Sequence, residues 1–176
     1  MAKEIWDIWL EKEEIVKKDF QRYLKTKKIK LETETEDLIK GHLKKADHNL
    51  KFVANILEMK SFNDWAIVSS YYAIYHASLA LCAMKGYSTK DHFATLLILI
   101  KEFYRKELTR EEIEMVSRTT LEKEDVLYYV EAKNQRSKAS YSTDILFDDE
   151  EAKRLQKKAI DFVNKVKQII ETNSYL

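Results

Sequence analysis

The chain has no proline, only two glycines and a single cysteine in 176 residues. Without proline and with so little glycine, turn-rich β architectures are disfavoured and long helices with short connections are favoured. Two isolated glycines cannot build a glycine-rich phosphate loop. One cysteine, Cys82, excludes an intramolecular disulfide, and its position in an apolar stretch reads as a buried structural thiol. The histidines and the cysteine do not fall at metal-ligand spacings: His42 and His48 are six apart and do not share one helix face. No metal and no cofactor is expected. The net charge of +1 leaves no bulk field for nucleic acid, so any such site has to be a local patch. The first residues, MAKEIWDIWLEKEE, contain no apolar signal core, and a cytoplasmic location is the expectation.

Charge is abundant, at 35% of residues, yet Trp65 to Met84 contains no Asp, Glu, Lys or Arg. A helix so apolar all round must be enclosed by protein or lipid. Its length would span a bilayer. Three tyrosines, three serines and a histidine inside it would each need an internal partner in hydrocarbon, so the reading is the central helix of a soluble bundle, with no membrane. Lys, Glu, Ile and Tyr are frequent and Gln is sparse, a thermophile-like pattern.

The rest of the chain reads as helices. Residues 3–28 carry an apolar stripe (Ile5, Trp9, Val16, Phe20, Leu24) with a break at Lys12, and Lys17 to Lys30 holds seven Lys/Arg against one acid, Asp19. Trp6 and Trp9 cannot share one narrow stripe, so one of them is expected to meet another helix or subunit. The basic run is either a solvated helix face or a surface for a partner or nucleic acid. Thr33 with Glu36 reads as a capping box opening a second helix to about Lys60, and residues 31–36 as the boundary between an N-terminal extension (1–35) and the main bundle (36–176). Ser61 with Asp64 is expected to cap the central helix, and Gly86 to end it in the left-handed region. Thr89 is expected to cap a fourth helix over about 90–106 whose buried face is Phe93, Leu97, Ile100 and Tyr104. Thr109 with Glu112 caps a shorter helix, a further one covers about 121–140, and the last follows Asp148. No segment alternates as a strand.

Two places could carry chemistry. One is the polar set Ser69, Tyr71, Tyr72, Tyr75 and His76 in the central helix, which is either a hydrogen-bonded core or a site wall. The other is Arg136, which shares a helix face with Tyr129, Ala132 and Ala139. A guanidinium there cannot lose its charge and must find a carboxylate, carbonyls, a phosphate or water. The choices are an ion pair closing the bundle end, or an anion site with Tyr141 one turn on.

Asp64-Trp65-Ala66 followed by Tyr71-Tyr72-Ala73-Ile74-Tyr75-His76-Ala77 resembles the signature of HEPN-domain proteins. Lys45-Ala46-Asp47-His48-Asn49-Leu50 is similar to the family's opening helix, Gly86 through His92 to its passage into the next helix, and Arg136-Ser137-Lys138-Ala139-Ser140-Tyr141, before a final Ala152/Ala159/Phe162 helix, to its closing part. The resemblance spans about residues 36–170 and implies an all-α antiparallel helical bundle, a homodimer, and association with RNA or nucleotides. Many members are metal-independent ribonucleases that act as toxins or defence effectors beside a small nucleotidyltransferase. In those, an arginine followed four to six residues later by histidine works across the dimer, the arginine on the scissile phosphate and the histidine assisting attack by the ribose 2′-hydroxyl. Here Arg136 aligns with that arginine, but no histidine follows His92, and Tyr141 stands five residues on. The family includes a branch with such an arginine-to-tyrosine arrangement. The resemblance therefore implies a toxin-antitoxin or defence protein that binds a phosphate-bearing ligand through Lys133, Arg136, Ser137, Lys138, His76 and Tyr72. The alternative it implies is a metal-independent endoribonuclease with Arg136 and Tyr141 as catalytic residues, and at this point the choice stays open.

Overall fold

The computed structural model of the chain describes residues 4–59, 62–118 and 149–173. In chain order these form α1 (Ile5–Glu11), α2 (Glu13–Lys25), β1 (Ile29–Leu31), α3 (Glu36–Leu57), α4 (Asn63–Met84), β2 (Tyr87–Thr89), α5 (His92–Glu102), α6 (110–118) and α7 (Asp149–Asn173). The architecture is the expected all-α bundle. Its centre is the α3–α4 hairpin, against which α7 packs on both helices. The expected helix over about 121–140 lies outside the described residues.

The uncharged stretch is α4, and its surroundings explain its composition. It is long and apolar enough to cross a membrane by length and composition, yet 78% of its apolar window is buried inside the protein. Two of its three serines are satisfied locally: Ser70 Oγ donates to the Ala66 carbonyl at 2.8 Å and Ser78 Oγ to that of Ile74 at 2.9 Å. Such bonds to the preceding turn let a polar side chain sit in an apolar environment without an orphaned hydroxyl. Gly86 ends the helix region with φ +79, as expected, and its amide donates to Ala83 O at 2.9 Å.

One expectation is overturned outright: strands are present. β1 and β2 form an antiparallel ribbon in the register Ile29↔Thr89, Lys30↔Ser88 and Leu31↔Tyr87, and Glu32 N extends it by donating to Gly86 O at 2.9 Å. Three residues are too few to show a period of two, so the pattern could not reveal them. Gly86 carries the turn, because a side chain there would be strained by its positive φ and would approach Glu32 O to 3.4 Å.

The first helix is interrupted where the sequence stripe breaks: Lys12 is extended, at φ −127 and ψ 92, separating α1 from α2. The break lets both tryptophans be buried, Trp6 at 7% and Trp9 at 2% exposure, and Trp9 reaches α2 through an indole N–H bond of 2.8 Å to Asp19. Trp9, Val16 and Phe20 join Leu97 and Phe103 in one hydrophobic cluster, so α1 and α2 share their core with α5.

Helix starts differ in detail. α3 begins after Thr35 rather than Thr33, and α4 after Phe62, neither with a side-chain cap, while Ser61 is outside the described residues. α5 is capped by Asp91, whose carboxylate accepts the Ala94 amide at 2.9 Å; Thr89 instead accepts the Asp91 amide at 3.0 Å. Phe93, expected in the buried face of α5, is 42% exposed, and Phe103 just beyond the helix is fully buried instead. The Thr109–Glu112 box forms as expected, with bonds of 2.8 and 3.3 Å in the two directions. Glu112 also receives Lys165 of α7 at 2.6 Å, and Lys167 reaches Asp47 of α3 at 2.7 Å, tying the last helix across the bundle.

Candidate functional site

Because α3 and α4 run antiparallel about a short turn, residues equidistant from that turn meet. His42 and His76 are such a pair, and their Nδ1 atoms lie 3.2 Å apart. The rings stack, with centroids 5.4 Å apart and planes at 27°. A hydrogen bond between two imidazoles needs one Nδ1 as donor and the other as acceptor. The pair is thus satisfied by neutral rings in complementary tautomers or by one shared proton, and opposed by two charged rings. Burial, and after it the charge of Lys45, hold His42 below the ordinary histidine range.

Three more rings extend this pair along one flank of α4. Tyr72 lies 6.5 Å from His76 with planes at 25°, and Tyr75 lies 6.0 Å from it with planes at 48°. Tyr75 in turn contacts His92, the first residue of α5, at 4.2 Å between centroids. Burial raises the Tyr75 phenol above its ordinary range, against a hydrogen bond with Thr95. At neutral pH this phenol is protonated and can donate. The cluster therefore presents half-buried hydrogen-bonding rings: imidazole nitrogens that donate or accept according to tautomer, and phenol hydroxyls able to donate.

The cluster continues to the α5 N-terminus. Asp91 caps that helix and receives Lys28 at 2.8 Å. Burial would raise the Asp91 carboxyl, but the bonds from Lys28 and from the Ala94 amide outweigh it and hold the group below the usual carboxylate range. Cys82 is fully buried, and burial pushes its thiol far up, which makes it an inert core group.

Of the residues singled out in the sequence, the structure brings together His76, Tyr72 and Tyr75. Lys133, Arg136, Ser137, Lys138 and Tyr141 lie outside the described residues. Sequence reasoning missed His42, which was considered only against His48, and did not connect Tyr75 with His92. The signal was present: residues 42 and 76 are nearly symmetric about the turn after α3, so the hairpin register would have paired them. Among the described residues no group of three metal-ligating side chains converges.

Comparison with known proteins adds two findings. The HEPN domain model matches residues 39–169. The chain is also 29% identical over 153 residues to the protein named "Putative toxin MJ0142" of Methanocaldococcus jannaschii, covering 87% of this chain and 92% of that protein.

Proposed function

The chain belongs to the HEPN domain family, and from that membership we propose that it is an RNA- or nucleotide-associated protein holding a phosphate-bearing ligand. The supporting observation is the span of the family match, which takes in both the His42–His76 cluster and Arg136. In this reading Arg136, with Lys133, Ser137 and Lys138, binds the phosphate. His76 and Tyr72 supply hydrogen bonds to the same ligand. A guanidinium suits the task because it is always charged and presents a planar fork of donors to phosphate oxygens.

The similarity to a protein named as a toxin supports a toxin-antitoxin or defence setting. The working form in this reading is a cytoplasmic homodimer, with a small nucleotidyltransferase as its partner. The choice between binding and cleavage turns on Tyr141. A free phenol titrates near 10, so it is a hydrogen-bond donor at neutral pH and a poor base, which favours binding over turnover.

The test is binding of a single-stranded RNA oligonucleotide by purified protein, with chelator present, followed by analysis of the RNA. The proposal expects salt-dependent binding that weakens at least ~10-fold in Arg136→Ala, without cleavage. Cleavage that survives chelator and is lost in both Arg136→Ala and Tyr141→Phe would establish the ribonuclease instead. Binding unchanged in Arg136→Ala would refute the assigned site.

A further inference from the structure

The basic run near the N-terminus lies outside the family match, and the functional reading above leaves it unused. Between Lys17 and Lys30 the single acid is Asp19. Asp19 does not neutralise the surface. It is 7% exposed and committed inward to the Trp9 indole at 2.8 Å, with Arg22 on its outer side at 2.9 Å. Lys17 pairs with Glu13 and Lys28 with Asp91. Among the described residues, Lys18, Lys25, Lys27 and Lys30 are exposed and make no ion pair. One step beyond the Ile29↔Thr89 pair, the ribbon sets Lys90, also exposed, beside Lys28.

An aromatic ring stands among these cations. Tyr23 is half-buried, with the Arg22 guanidinium 5.3 Å and the Lys28 ammonium 4.9 Å from its ring centre. The patch also connects physically to the histidine cluster. Lys28 bonds Asp91, His92 follows in the chain and packs on Tyr75, and Tyr75 packs on His76.

We propose that the α2–β1 segment is a second, sequence-independent binding strip for the backbone of single-stranded RNA, leading toward the His42–His76 cluster. Cationic side chains interleaved with an aromatic ring are the chemistry that tracks a single strand. An anionic membrane fits less well: the apolar side of α2 (Val16, Phe20) is buried in the core, leaving no apolar helix face to insert. The inference rests on the RNA reading above, and the experiment separates the two.

Binding of a single-stranded RNA oligonucleotide is measured across a salt series for wild type, for Lys25→Gln/Lys27→Gln/Lys30→Gln/Lys90→Gln, and for Arg136→Ala. Helicity and melting temperature serve as fold controls, and these exposed lysines are expected to leave both unchanged. The quadruple variant is expected to bind at least ~10-fold more weakly at low salt, and its log–log salt slope to fall by ~0.7 for each phosphate contact removed. Equal affinity and slope in the quadruple variant, with binding still weakened by Arg136→Ala, overturns the strip and leaves the RNA reading standing. A quadruple variant that loses only binding to phosphatidylserine vesicles assigns the patch to lipid and overturns the strip. No RNA binding by wild type overturns both.

Discussion

His42 on α3 and His76 on α4 share a hydrogen bond between Nδ1 atoms 3.2 Å apart. The fold thus favours a neutral His42, held below its ordinary range by burial and then by Lys45. In the unfolded chain the same group protonates near pH 6.5. As pH falls below that value the unfolded state binds the proton first, so stability is lost from about pH 6.5 down to the lower folded-state value and is fully present above it. Urea unfolding across pH 7.5 to 5 is expected to show a positive slope of stability with pH. The slope from this group stays below the ~1.4 kcal/mol per pH unit set by one proton. The slope is expected to flatten in His42→Gln, and an identical slope in that variant would remove the histidine pair from the account.

Asp19 is the hinge of the N-terminal packing. Its carboxylate accepts the buried Trp9 indole and faces Arg22. Asp19→Ala leaves the indole N–H without its partner in a buried position and is expected to cost ~1–3 kcal/mol in chemical denaturation. Because α1 and α2 share a core with α5, the loss is expected in the global transition, reported equally by fluorescence and far-ultraviolet circular dichroism. An early, separate transition seen by fluorescence alone would show that these helices are held independently.

Gly86 joins α4 to β2 at φ +79, where an added Cβ would stand 3.4 Å from Glu32 O. Gly86→Ala is expected to destabilise by ~1 kcal/mol or more, since a residue with a Cβ is strained at this positive φ. Calorimetry checks this, and an unchanged melting temperature would contradict it.

These elements also show which features the sequence makes legible. The uncharged run identified α4, the drop in charge being too large for any exposed helix. Gly86 and the Thr109–Glu112 box were legible because each is a local backbone requirement met by few residue types. The choice of Asp91 over Thr89 as the α5 cap was not, since both side chains can cap and only the path of the ribbon decides. The ribbon itself escaped because three-residue strands carry no measurable period. The His42–His76 pair is non-local: it depends on hairpin register, which residue-by-residue patterning does not encode, although the turn after α3 implied it. Arg136 and Tyr141 lie outside the described residues, and their assignment rests on the order of motifs in the chain together with the family match.

In the proposed function, Arg136 and the His42–His76 cluster hold one phosphate-bearing ligand. The most direct measurement is imidazole nitrogen NMR on histidine-labelled protein titrated with a single-stranded RNA oligonucleotide. The His42 and His76 ring signals are expected to move together and saturate with the binding isotherm, and in Arg136→Ala to stay in place at the same RNA concentration. RNA binding at undiminished affinity in Arg136→Ala, with both rings unmoved in wild type, would contradict the shared site.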